Sequence, residues 1–75
     1  MRNKFVMKGG LMIYDNIVTI AAEKGISIKK LEAQAGIGNG TIGKWRNSDP
    51  QVETLMKVAK ALSVSLEELV KGIKP

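Results

Sequence analysis

Apolar residues recur along this chain at three- and four-residue steps, and turn-forming residues interrupt them at short intervals. Ile13, Ile17, Ile20 and Ala21 share a face up to Lys24, which predicts a first helix over residues 13–24, stopped by Gly25. Ser27 is a good N-cap, and Leu31 and Ala35 follow one turn apart, predicting a second helix over 28–35. Thr41, Ile42 and Trp45 then line one face of a third, over 39–46, with Asn39, Gly43 and Arg46 pointing elsewhere. Residues 47–50 (Asn, Ser, Asp, Pro) form a turn, since Pro can precede a helix but not continue one. Val52, Leu55, Met56, Val58, Ala59 and Leu62 mark a fourth helix over about 52–62. Ser65 and Glu68 make a capping-box pair that opens a short fifth helix ending near Gly72, with Leu66, Leu69 and Val70 facing inward. No stretch alternates at period two over strand length. The pattern predicts an all-α domain of five short helices over 13–72.

The stretch from Ser27 to Ser48, SIKKLEAQAGIGNGTIGKWRNS, carries the most information. Two short helices meet at Gly36-Ile37-Gly38, and a glycine there supplies the left-handed turn that stops the first and re-aims the second. That is how a helix-turn-helix offers one helix to a DNA major groove. These residues resemble the helix-turn-helix domain of the Cro/cI-type phage repressors, the XRE family. The family's pattern is met by apolar Leu31, small Ala35, Gly36, and apolar Ile37, Ile42 and Trp45. The string GIGNGTIG is similar to the turn and recognition helix of the lambda-type repressor. One position departs: the family usually has Ala where this chain has Glu32, in the helix–helix contact. On the family's packing, Glu32→Ala is expected to be neutral or stabilising, unless Glu32 has a partner such as Lys29 or a lysine of another helix. The resemblance spans roughly residues 13–71 and implies the five-helix lambda-repressor-like fold. It also implies a homodimer on a symmetric operator, with the fifth helix as the seam and paired recognition helices about one DNA turn apart.

Seventy-five residues make one small domain, burying roughly 60% of the unfolded chain's surface. A hydrophobic content of 44% is ample for a core. With no cysteine and no histidine, disulfides and the usual metal ligands are absent, and so are the commonest catalytic bases and nucleophiles. No enzyme, cofactor or metal is expected. The glycines of GIGNG lack the preceding strand and ribose-binding acid of a dinucleotide site, and no P-loop signature is present. No apolar run approaches the roughly 20 residues of a membrane span, and the first 14 residues lack a secretory h-region, so a cytoplasmic protein is expected.

The net charge of +5 is unevenly spread. Residues 1–12 hold Arg2, Lys4 and Lys8 and no acid; the remainder has nine bases against seven acids. Within the motif, Lys29, Lys30, Lys44 and Arg46 face a lone Glu32, while Glu53, Glu67 and Glu68 lie in later helices. That polarity suits a phosphate backbone on one side. Residues 1–12, ending in Gly9-Gly10, read as a flexible basic arm, incidental sequence ahead of a DNA-reaching one; residues 73–75 read as a tail.

Nine residues are the expected DNA contacts. Asn39, at the start of the third helix, has an amide able to donate to and accept from adenine; the lambda-type repressors carry a base-contacting Gln there. The competing reading is a helix-start residue with local hydrogen bonds only. Gly40 can meet DNA only through its backbone. Thr41 suits a phosphate, a thymine methyl, or packing inside the turn. Gly43 is a poor helix residue, which suggests close approach to the groove floor. Lys44 and Arg46 suit phosphate or base contacts. Lys29 and Lys30 sit at a helix start, where the macrodipole disfavours cations, hinting at an external anion. Asn47 matches a family position that often meets phosphate. Trp45 belongs to the apolar stripe rather than to a base-stacking platform. The expected partner is double-stranded DNA, read in a sequence-specific way by a transcriptional regulator, most simply a repressor. The alternative is an adaptor or antitoxin of the same fold, gripping a protein partner, with DNA binding secondary.

Overall fold

The computed structural model describes residues 7–72. Ser27 Oγ accepts from the Lys30 amide at 3.1 Å, and this cap opens helix α2, Ile28–Ala35. Gly36 closes it at φ 73°, its amide returning to the carbonyls of Ala33 and Glu32. Both ends fall where the sequence places them. Helix α3, Val52–Leu62, also matches its expected bounds; Pro50 is buried just ahead of it, and Ser63 ends it at φ 58°.

The other three segments differ from expectation. Helix α1 runs Gly10–Lys24, three residues longer at its start than the apolar periodicity indicates. Gly10 is buried there, donating its amide to Asp49 Oδ1 at 3.2 Å. A Cβ at Gly10 would overlap the Ser48 carbonyl oxygen and stand 2.7 Å from that of Trp45. The missing side chain therefore lets the helix begin directly against the 45–49 backbone. Just before it, the Met7 amide donates to the Pro50 carbonyl at 2.7 Å. The arm expected over 1–12 is thus corrected from Met7 onward, and residues 1–6 lie outside the described residues, as does the 73–75 tail.

The third helix is not an α-helix over 39–46 but a 3-10 helix, Ile42–Arg46. Asn39 and Gly40 form the turn ahead of it, Gly40 at φ 90°, a left-handed conformation that glycine adopts readily and that no right-handed helix can run through. The last helix, α4, is a single turn, Leu66–Leu69, and does not reach Gly72. Ser65 Oγ accepts from the Glu68 amide at 3.4 Å as the capping box predicts. Asn16 of α1 donates its amide to the carbonyls of Leu69 and Lys71, both at 2.9 Å, which replaces the bonds another turn would make. Four α-helices and one 3-10 helix therefore carry the all-α fold, with no strand among the described residues.

One apolar core joins them. Ile13, Ile17 and Ala21 of α1 meet Leu31 of α2, Ile42 and Trp45 of the 3-10 helix, four residues of α3, and Leu69. Trp45 is 4% exposed and is a core residue, as its spacing from Ile42 indicates. The 3-10 helix packs chiefly on α1, whereas α2 packs chiefly on α3. No described helix is long and apolar enough to cross a membrane.

Candidate nucleic-acid interface

A five-residue 3-10 helix makes few bonds of its own, so its placement depends on groups outside it. At its leading end the buried Glu32 of α2, 3% exposed, reaches across the turn. Glu32 Oε1 accepts from the Gly40 amide and Oε2 from the Ile42 amide, each at 2.9 Å. Of the two readings of Glu32, family-like packing or a specific partner, the structure gives the second. Among the described residues its partner is neither Lys29 nor another lysine but two backbone amides that the short helix cannot satisfy. The signal lies in the sequence, an acid on the inner face of α2 eight residues before a glycine turn, but only the fold shows what it meets.

At the trailing end, Asn47 is the C-cap, its amide donating to the Lys44 carbonyl at 3.0 Å, and Ser48 Oγ donates to the same carbonyl at 2.9 Å. Asp49, Ser48 and Pro50 are in turn engaged by the start of α1 and by Met7. The segment is held at both ends by elements outside it, the preceding helix at its front and the start of α1 behind.

The nine expected contact residues separate into groups. Asn39 and Gly40 are exposed in the turn ahead of the 3-10 helix rather than inside a helix. Asn39 shares a shallow hollow with Lys29, Ala33 and Ile37, over Glu32. Gly40 has its amide committed to Glu32, so that amide is not available to donate to DNA. Thr41, the N-cap, is half-buried, and its Oγ1 lies 3.2 Å from where a Cβ on Gly38 would stand, favouring its packing role inside the turn. Gly43 is half-buried with nothing within 4 Å of a built Cβ among the described residues. Lys44, Arg46 and Asn47 are exposed at the far end. Lys29 and Lys30 are exposed in the first turn of α2, beside Asn39 in the case of Lys29.

Arg46 is not a free surface cation. Its Nε donates to the Gly43 carbonyl at 3.2 Å, and its guanidinium carbon stands 5.6 Å from the centre of the Tyr14 ring, within cation–π range. Tyr14, half-buried on α1, was not among the residues expected at the site; nothing in the local sequence pairs it with Arg46 across 32 positions.

A capped helix, a left-handed glycine and a second short helix packed through Ile42 and Trp45 define a helix-turn-helix domain. The profile of the Cro/C1-type HTH DNA-binding domain matches residues 16–75, and the chain belongs to that family. Among solved structures it is similar to a hypothetical transcription factor, NHTF, from Neisseria, at 21% identity over 80% of this chain and 71% of that one, TM-score 0.73. It is also similar to an HTH_3 family transcriptional regulator from Vibrio cholerae, at 21% identity and TM-score 0.73 over 81% of this chain. This chain spans 35% of the Vibrio protein's length. The P22 c2 repressor, solved in complex with a synthetic operator, is 26% identical over 83% of this chain and 97% of that one, TM-score 0.70. No curated protein matches the chain. The domain is therefore of a DNA-binding, regulatory class, and the similarity to the first two structures bears on the fold alone.

Proposed function

We propose that this protein is a sequence-specific double-stranded DNA-binding transcriptional regulator, acting as a repressor. The observation that carries the reading is the display on the short helix of this Cro/C1-type domain. Ile42 and Trp45 are buried while Lys44 and Arg46 are exposed beside exposed Asn39 and Asn47. Asn39 and the outer side of the 3-10 helix would face base edges in the major groove, with α2 lying across the backbone through Lys29 and Lys30. Gly43 would let the helix backbone come close to the groove floor. Two copies on a symmetric operator would double a small footprint, and a domain that occupies an operator blocks it, so repression is the simplest role.

The test is selection of bound duplexes from a random pool by the purified chain, followed by titration of a selected and a scrambled duplex at several salt concentrations. The expected result is tighter binding to the selected duplex, with log affinity for both falling linearly in log salt. An adaptor or antitoxin whose business is a protein partner would show no preference at any salt.

A further inference from the structure

We infer that Glu32 is a specificity-determining positioning residue: its carboxylate, buried behind the turn, sets the orientation of Asn39–Thr41 toward DNA. The inference rests on the DNA-reading role proposed above. It starts from an imbalance in how the two halves of the motif are held. Helix α2 packs mainly on α3, and the 3-10 helix mainly on α1. The polar tie from α2 to the turn and the short helix is the pair of 2.9 Å bonds from Glu32 to the Gly40 and Ile42 amides.

Those two amides bracket Thr41, and the first of them directly follows Asn39. One carboxylate accepting from residues 40 and 42 fixes both peptide planes, and so fixes where the backbone carries the side chains of 39 and 41. Gly40 answers with φ 90°, the rotation that sets the course of the chain from its own bonded amide toward that of Ile42. No atom of the described residues lies within 4 Å of a Cβ built at Gly40, so its backbone angle, not crowding, requires the glycine. The two residues form one device: Glu32 supplies the acceptors and Gly40 the backbone angle. Glu32 need not touch DNA to govern discrimination, because reading a base edge demands an orientation that a turn leading into a five-residue 3-10 helix does not keep unaided.

Glu32→Gln is the sharpest test, since it preserves volume while placing an NH2 group against one of two N–H donors. Three measurements are made well below the melting temperature. These are amide hydrogen exchange at Gly40 and Ile42 without DNA, and affinity for the selected and the scrambled duplex. Exchange at one or both amides should accelerate in the variant. The ratio of selected to scrambled affinity should fall about 10-fold, the scale of one lost base contact, with scrambled binding and its salt slope kept. Gly40→Ala, which strains the turn and crowds nothing described, should lower the same ratio, and it supplies the readout if Glu32→Gln does not fold. If discrimination survives in a folded Glu32→Gln chain, or in Gly40→Ala where the former does not fold, the inference is overturned. A parent chain that shows no preference between the duplexes would instead overturn the DNA-reading role on which it rests.

Discussion

At position 43 a glycine stands inside a helical segment, where it costs up to about 1 kcal/mol relative to alanine. The protein's own described packing offers no reason for it, since a Cβ there would meet nothing within 4 Å. The proposed close approach to DNA would supply one. Gly43→Ala is therefore expected to melt at or slightly above the parent temperature while binding the selected duplex more weakly. A variant with raised stability and parental affinity would remove close approach as the explanation. Glu32 presents the opposite case. Removing its carboxylate strands two amides, one of them buried, and an unsatisfied buried donor costs about 1–3 kcal/mol. Glu32→Ala should consequently destabilise the domain, measured as a lower melting temperature or denaturant midpoint. Single residues divide in the same way as to what the sequence reveals. Ser27, Gly36, Ser65 and Trp45 act on near neighbours and were readable, because caps, left-handed turns and apolar stripes repeat at fixed spacings. Glu32, Gly10 and Tyr14 act across turns or between helices, and their partners emerge only once the chain is folded.

Among the elements, α2 and α3 keep their expected bounds because each carries its own start and stop signals and a clear apolar face. The 3-10 helix and α4 do not, since each is too short to satisfy its own backbone and ends where another element supplies the missing partner. Asn16 meets the carbonyls at the end of α4, and Glu32 meets the amides at the front of the 3-10 helix. The start of α1 is coupled to the 3-10 helix in the same manner. Gly10 lies under the Trp45 and Ser48 carbonyls and donates to Asp49, so the backbone after the 3-10 helix rests on α1 where a side chain would stand. Gly10→Ala should force these backbones apart at a cost of about 1–3 kcal/mol, the usual range for overpacking. Thermal melting checks the magnitude, and amide exchange at Asn47 checks the location, because that amide closes on the Lys44 carbonyl beside the displaced strand of backbone. Parental stability would mean that the 45–49 backbone yields without loss and that α1 does not brace the motif.

For the whole molecule, the proposed division of labour separates holding DNA from reading it. The motif carries Lys29, Lys30, Lys44 and Arg46 against Glu32, and the only acid among them is turned inward. The outward face of the motif is accordingly cationic, which draws a phosphate backbone without regard to sequence. Asn39, uncharged and exposed on the turn, is the group suited to a base edge. Lys30→Ala should weaken binding to selected and scrambled duplexes alike. It should also flatten the salt dependence by about one unit of slope if one phosphate contact is lost. Both Lys30 and Asn39 are exposed, so either truncation should leave the fold intact and any change can be assigned to DNA. Asn39→Ala should cost about 1–3 kcal/mol on the selected duplex, leave the scrambled duplex nearly unchanged, and keep the parental salt slope. Isotherms for each variant on both duplexes at several salt concentrations separate the two effects. Equal weakening of both duplexes by Asn39→Ala would show that this residue holds rather than reads. If neither substitution alters binding, the cationic face of the motif is not where DNA sits, and a protein partner becomes the better account of that surface.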